Sequence, residues 1–375
     1  MANFFFYGTL CHLPLLERVV GRELTVVPAR LEGHEVRWAE GESFPLILPA
    51  PGKAAEGLLA EGLTAGEVTR LDFYEGGFGY LTREVIVDAG DGRQVPAQVY
   101  FPEPGHWRPG APWRLQDWAA DWGDVVTETA ADFMALRGRK APEELKARYG
   151  LMMIRAASRL RARAAGQGML RRTSETGDVV VADRREPYAK FFSVEEYDLS
   201  FRRFDGSMSP VVNRAVFITG DAASVLPYDP VRDRVLLIEQ FRPGPFARGD
   251  ANPWSLEAIA GRVDASETPE EAVRREAVEE AGLRIGDLHL IGGYYPTPAG
   301  KSEYLYSYVG IAELPDGTAV SGAGVDGEDE DIRTHIVTFD ALMELLGAGE
   351  VDNAPLLISA LWLSAHRAEL RAAAR

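Results

Sequence analysis

The stretch Gly261-Arg-Val-Asp-Ala-Ser-Glu-Thr-Pro-Glu-Glu-Ala-Val-Arg-Arg-Glu-Ala-Val-Glu-Glu-Ala-Gly282-Leu283 decides the fold of the C-terminal half. Thr268 is placed to cap a helix, Pro269 suits the first helical position, and Glu271 completes a capping box. Gly282 supplies the stop. Within this helix Glu276, Glu279 and Glu280 fall on one turn, because residues three and four apart share a face. Three carboxylates so placed repel one another, and the arrangement brings a benefit only if something positive sits against it. A solvated acidic face is the plain reading. Oxygen donors in that number also suit a hard divalent cation, Mg²⁺ or Mn²⁺.

Working outward, 375 residues are enough for two domains, and 46% apolar residues supply their cores. A formal charge of −17 argues against a nucleic-acid partner, whose phosphates would be repelled. A small anionic substrate stays compatible where a bound cation inverts the local field. Cys11 is alone, which excludes an internal disulfide and suits a reducing compartment; just after an apolar strand it reads as an inert core residue. The start, Met-Ala-Asn-Phe-Phe-Phe-Tyr, has neither a basic region nor a long apolar run, so no signal peptide is expected. No run of about 18 apolar residues suggests a membrane span. A cytoplasmic protein is the expectation.

Residues 1–112 alternate short apolar runs with Gly/Pro turns, and Phe4–Phe6, Glu84–Asp88 and Ala97–Phe101 read as strands. Helical spacing follows over Leu115–Leu136 and Pro142–Ala165. Arg155, Arg159, Arg161 and Arg163 there suggest the solvated face of a connector spanning 113–168, broken by Gly166-Gln-Gly168. From 169 to 375 strands return at Val179–Ala182, Ala215–Thr219, Ser224–Tyr228 and Val235–Gln240, with a tight turn at Asp229–Asp233. More strands are expected after the acidic helix, near His289–Tyr295, Tyr304–Ile311 and His335–Phe339. Two helices close the chain. This order gives an α/β protein of two domains, the second an α/β/α sandwich.

The spacing of Gly261, Glu267, Arg275-Glu276, Glu279-Glu280 and Gly282-Leu283 resembles the Nudix box, with Ala277 a smaller residue where the box has a larger aliphatic one. From about Phe191 onward the chain resembles ADP-ribose pyrophosphatases of that superfamily. The stretches that carry this are Phe191-Phe192-Ser193, Asn213-Arg214, Leu237 to Arg242, Glu257 to Gly261, Thr297 to Glu303 and Glu328 to Arg333. The resemblance implies hydrolysis of the diphosphate bond of a nucleoside diphosphate sugar, ADP-ribose giving AMP and ribose 5-phosphate. It assigns Glu276, Glu279 and Glu280, with the Ala260 carbonyl, to a divalent cation. Arg275 and Glu267 would hold those carboxylates in place. Glu328 would be the general base and Glu330 a further metal ligand, with the reverse order as the alternative. Phe191 or Phe192 would stack on adenine; Arg214, Arg242, Arg262 and Glu303 would contact the rest of the substrate. A homodimer that exchanges residues 176–215 is also implied. A GDP-sugar hydrolase and a non-catalytic ADP-ribose sensor are the competing functions.

The first domain resembles the gamma-glutamylcyclotransferase (AIG2-like) fold, a small β-barrel with helices. Phe6-Tyr7-Gly8-Thr9-Leu10, Leu71 to Gly76 and Tyr80 to Arg83 carry that likeness. It implies a γ-glutamyl ligand held by the backbone of Tyr7, Gly8, Thr9 and Leu10, with Glu75 as acid/base. A binding or dimerisation module is the alternative, and a solvated Glu75 the plain reading of its Tyr-Glu-Gly-Gly context.

Overall fold

The computed structural model describes the chain except residues 165, 167, 317–320, 324–330 and 375, with backbone alone at 321–323. It divides into two compact units, Met1–Ala165 and Gly166–Arg375.

In the first unit the order is β1 (Ala2–Phe6), a 3₁₀ turn (Thr9–Cys11), α1 (Leu13–Val20), β2 (Val26–Ala39), β3 (Pro45–Leu63), α2 (Ala65–Gly76), β4 (Tyr80–Ala89), β5 (Gln94–Pro102) and β6 (Pro109–Pro112). Helices follow: α3 (Leu115–Trp118), a π-helical stretch (Ala119–Gly123), α4 (Asp124–Ala135), α5 (Pro142–Lys146) and α6 (Tyr149–Ala164). The strands run β3-β1-β5-β4-β2, and β2 also pairs with β3, so five strands close into a barrel with β6 on its rim. Consecutive strand residues face opposite sides, and here both sides of β1 are covered. Phe5 and Tyr7 pack in the barrel interior with Ile47, Val87 and Val99. Phe4 and Phe6 pack outside it against Leu15, Leu16 and Phe133. That double burial is why three phenylalanines stand in a row.

The helices expected to form a connector are part of this unit's core instead. Trp118, Val126, Phe133, Leu145, Tyr149 and Met152 are buried among the barrel's outer residues. The Lys146 ammonium lies 4.8–5.4 Å from the rings of Phe44, Phe78 and Trp107 and fastens α5 down. The basic side is only partly solvated, with Arg163 exposed. Arg155 is buried, and Arg159 is tied to Glu128 at 2.9 Å and Asp132 at 2.7 Å. Periodicity alone does not separate a solvated helix from one whose arginines meet acids across a helix pair.

In the second unit β7 (Val179–Ala189), β8 (Ser193–Phe201) and β9 (Val212–Ile218) form a three-stranded antiparallel sheet. The larger sheet contains β10 (Ala222–Asp229), β11 (Arg234–Phe241), β12 (Trp254–Glu257), β13 (Ile259–Arg262), β14 (Leu288–Tyr294), β15 (Leu305–Ile311), β16 (Ser321–Ala323) and β17 (Ile332–Thr338). Its path is β14-β15-β10-β11-β17-β16, with β12 paired to β11 and β13 to β10. The helices are α7 (Pro243–Arg248), α8 (Pro269–Ala281), α9 (Phe339–Ala348) and α10 (Ala354–Ala373). Val225, Leu236 and Ile238 face Val273 and Ala277 of α8. Leu226, Tyr228 and Leu237 face Leu342, Leu356 and Leu363 of α9 and α10. The result is the expected α/β/α sandwich. Its β10–β11 turn is closed by the Asp229 carboxylate, which accepts from the Val231 and Arg232 N–H groups at 3.0 and 2.9 Å.

Candidate active site

Helix α8 forms as its caps dictate. The Thr268 hydroxyl accepts from the Glu271 N–H, and the Glu271 carboxylate accepts from the Thr268 N–H at 2.8 Å. Gly282 closes the helix at φ 60°, a conformation that suits glycine. On the inner side Glu276 lies flat against β13: a Cβ on Gly261 would fall 1.7 Å from the Glu276 Oε1. Glycine at 261 is what makes room for that carboxylate. One turn on, Glu280 is only 3% exposed and accepts from the Ala260 N–H at 3.3 Å.

The positive partner that the acidic turn requires is Arg275. Its Nε and Nη2 donate to Glu267 at 2.8 and 3.0 Å, and its Nη1 donates to Glu276 at 2.7 Å and Glu279 at 2.9 Å. Nη2 also donates to the Arg262 carbonyl at 3.1 Å. A planar guanidinium is the one side chain with enough fixed donors to hold three carboxylates at once. The Arg275 bonds hold the Glu267 carboxyl below its ordinary pKa, and those acceptors in turn raise the pKa of Arg275. Among the described residues no three Asp, Glu, His or Cys side chains already stand in a ligand shell. The donor set nonetheless fits a hard divalent cation: carboxylate oxygens, buried at Glu280, with a cradle at Gly261 that a Cβ would fill. Glu328 and Glu330 lie outside the described residues.

Two aromatic residues come to this site from the smaller sheet. Phe191 and Phe192 sit in the β7–β8 turn, with their rings 4.7 Å apart. The Arg262 guanidinium stacks 4.2 Å over Phe191, so Phe191, Arg262, Arg275 and Glu276 form one connected chain of contacts. Phe192 packs on Phe217 at 4.6 Å, and the Phe217 N–H donates to the Gly300 carbonyl. That bond brings the 297–303 loop alongside, with Glu303 paired to Lys301 at 2.9 Å. Phe191 is 57% exposed, which leaves its face open for stacking. The other two arginines are placed differently. Arg242 is held two-pronged by Glu257 at 2.8 and 2.7 Å, and Arg214 is exposed on β9 with its Nη1 on the Asn213 carbonyl.

The first unit holds a separate pocket. It is lined by Tyr7, Gly8, Thr9 and Leu10 at the end of β1, by Glu75 on α2, and by Tyr74, Tyr80, Tyr100, Val126 and Tyr149 among others. The four β1-end residues and Glu75, singled out by sequence, are therefore neighbours in space. Glu75 is not a solvated turn residue, because α2 continues through it to Gly76 under a Thr64–Glu67 capping box. Burial pushes its carboxyl up to about 8. Cys11 is buried, its Sγ 3.0 Å from the Phe6 carbonyl and its thiol raised to about 12, so it is inert as expected.

A stability prediction follows from Glu75. The folded carboxyl keeps its proton to about pH 8, whereas an exposed glutamate loses it near pH 4.5. The first unit is therefore at full advantage below about pH 4.5 and loses stability as pH rises towards 8. Thermal melts should show this decline in the wild type and a flatter profile in Glu75→Gln; identical slopes would refute the assignment.

The chain is 39% identical over 195 residues to the ADP-ribose pyrophosphatase of Escherichia coli (strain K12), covering 52% of this chain and 91% of that relative. The NUDIX domain family model matches residues 219–358. The chain belongs to the Nudix hydrolase family. Two further Nudix relatives are the ADP-ribose pyrophosphatase of Haemophilus influenzae, 32% identical over 52% of this chain and 89% of its own, and the GDP-mannose pyrophosphatase of Enterobacter sp. (strain 638), 34% identical over 39% and 74%. Residues 4–120 match the gamma-glutamyl cyclotransferase, AIG2-like family model, so an AIG2-like domain precedes the Nudix domain.

Sequence reasoning missed two sets of residues. Lys301 is visible only once the 297–303 loop is placed, although it lies inside a stretch already singled out. Val126 and Tyr149 of the first pocket come from helices beyond the AIG2-like match, and no local motif marks them. No helix among the described residues is long and apolar enough to cross a membrane.

Proposed function

We propose that the Nudix unit hydrolyses the diphosphate bond of ADP-ribose to AMP and ribose 5-phosphate. The observation that carries this is the Arg275 clasp of Glu267, Glu276 and Glu279 beside the buried Glu280. Four carboxylates are gathered close together there, at a strand whose glycine leaves room for one of them. Glu276, Glu279 and Glu280, with the Ala260 carbonyl, would hold Mg²⁺ or Mn²⁺. Bound there, the cation neutralises phosphoryl oxygens and raises the acidity of the attacking water. Arg275 supplies order: it keeps the carboxylates from splaying apart when no cation is present, so little reorganisation is left for the moment of reaction. Phe191 offers a stacking face for the adenine ring, and Arg262 beneath it offers donors to phosphate or ribose oxygens. Glu328 is assigned as general base and Glu330 as a further cation ligand. Arg242, Glu303 and Phe192 complete the substrate wall.

A homodimer belongs to the same proposal. Val179, Val180 and Val181 of β7 are exposed, as are Phe204 and Val211 in the β8–β9 connection; this apolar surface suits a second copy, and Arg214 stands on the same sheet. A lone buried cysteine suits the cytoplasm. The test is a purified-protein panel of nucleotide sugars with Mg²⁺ or Mn²⁺, with products identified by mass. AMP from ADP-ribose is expected. GMP from GDP-mannose as the dominant product would favour the GDP-sugar alternative, and binding of ADP-ribose without cleavage would favour a sensor.

A second activity is proposed for the AIG2-like domain, on the enclosed Glu75. There the α-amino nitrogen of a γ-glutamyl amide attacks its own γ-carbonyl carbon. The bond to the leaving amine nitrogen breaks while Glu75 carries a proton from the attacking nitrogen to the leaving one. The products are 5-oxoproline and the free amine.

A further inference from the structure

The first pocket has an unusual lining. One carboxyl, Glu75, stands among five tyrosines, Tyr7, Tyr74, Tyr80, Tyr100 and Tyr149, and no lysine, arginine or histidine lines the cavity. A carbonyl oxygen that gains negative charge during reaction therefore has no cation to lean on. It must be met by neutral donors.

Three of the five phenols have already spent their protons. The Tyr7 hydroxyl donates to the Tyr100 carbonyl at 2.8 Å, Tyr80 to the Pro45 carbonyl at 2.9 Å, and Tyr100 to the Asp72 carboxylate at 2.7 Å. The Tyr74 and Tyr149 hydroxyls are hydrogen-bond partners of each other. Tyr149 shares that bond, which uses only one of the pair's two protons. Its ring is fixed edge-on against Phe78 at 5.1 Å and Phe133 at 6.2 Å, so the hydroxyl has a defined position on the cavity wall. Tyr149 begins α6 and lies 29 residues past the last residue of the AIG2-like match at 120. Val126 of α4 lines the same wall, and also lies beyond that match.

We propose that Tyr149 donates a hydrogen bond to the carbonyl oxygen of the γ-glutamyl ligand, so that the helices after the barrel complete the active site of the first unit. The inference rests on the cyclotransferase reading of Glu75. In the step written above, the γ-carbonyl oxygen gains electron density as the amino nitrogen adds and loses it as the amine departs. The Tyr149 O–H strengthens its bond during that interval and keeps its proton throughout. With Tyr149 as the donor to the ligand, the Tyr74 hydroxyl donates into the same oxygen, polarises the Tyr149 O–H and makes it a better donor. Contributions of this kind appear in turnover and not in ground-state binding.

The experiment uses the full chain, Tyr149→Phe and a panel of γ-glutamyl amides, with 5-oxoproline release as readout. Phenylalanine keeps the ring that packs on Phe78 and Phe133. ADP-ribose turnover by the Nudix unit of the same preparation reports that the protein is intact, and a melt reports the fold of the first unit. The expected result is a fall of about 10²-fold in kcat with KM within about threefold. Wild-type release with kcat of Tyr149→Phe within about threefold, or a loss confined to KM, would overturn the proposal and leave the Glu75 reading standing. No release by the wild type from any amide in the panel would overturn both.

Discussion

Glu280→Gln should lower ADP-ribose turnover at saturating Mg²⁺ by about 10³-fold while the chain melts at nearly its normal temperature. The carboxylate is almost completely enclosed and accepts from the Ala260 N–H at 3.3 Å, a bond that an amide oxygen can keep. The substitution therefore removes a charge and leaves shape and contact in place. If the acidic turn of α8 existed only as a solvated face, loss of one charge would ease repulsion and leave the rate alone. The readouts are steady-state kinetics over a magnesium series and a thermal melt. A rate within a few fold of the wild type would remove Glu280 from the site.

Gly261→Ala is the second large effect. A methyl group there would overlap Glu276, whose Oε1 lies 1.7 Å from the position a Cβ would take. Glu276 cannot simply swing away, because Arg275 holds it at 2.7 Å while also gripping Glu267 and Glu279. Either the clasp shifts as a unit or β13 backs out of its pairing with β10. Both displace a carboxylate by about an ångström, and misplacement on that scale costs about 10²-fold in rate. The signature is a raised magnesium requirement together with a lower kcat. An alanine variant with wild-type magnesium dependence would show that Glu276 does not need its present place.

Much of this was legible in the sequence because it is written in local chemistry. The capping box at Thr268, the glycine stop at 282 and the carboxylate spacing of α8 all depend on residues a few positions apart, and each forms as expected. That Arg275 meets Glu276 and Glu279 follows from the same close spacing. What was not legible depends on long-range meetings. The arginines of α6 looked solvated because the acids that hold them, Glu128 and Asp132, lie on another helix. The partner of Arg242 was not legible, because Glu257 lies on the neighbouring strand. Glu75 looked like a turn residue because its Gly-Gly successors suggest an early end to the helix, whereas α2 runs on to Gly76 and seals the carboxyl against the barrel. Tyr149 carries no signature at all. Its place on the pocket wall is set by the packing of its ring on Phe78 and Phe133.

The decisive measurement is electron paramagnetic resonance of Mn²⁺ added to the intact protein with ADP-ribose, compared with the same titration of a Glu276→Gln, Glu280→Gln double variant. The wild type should draw the free-ion signal down in proportion to protein, and the variant should leave it in solution. Equal manganese uptake by both proteins would mean that the acids of this helix turn do not gather the cation, and the assignment of the Nudix site would fail.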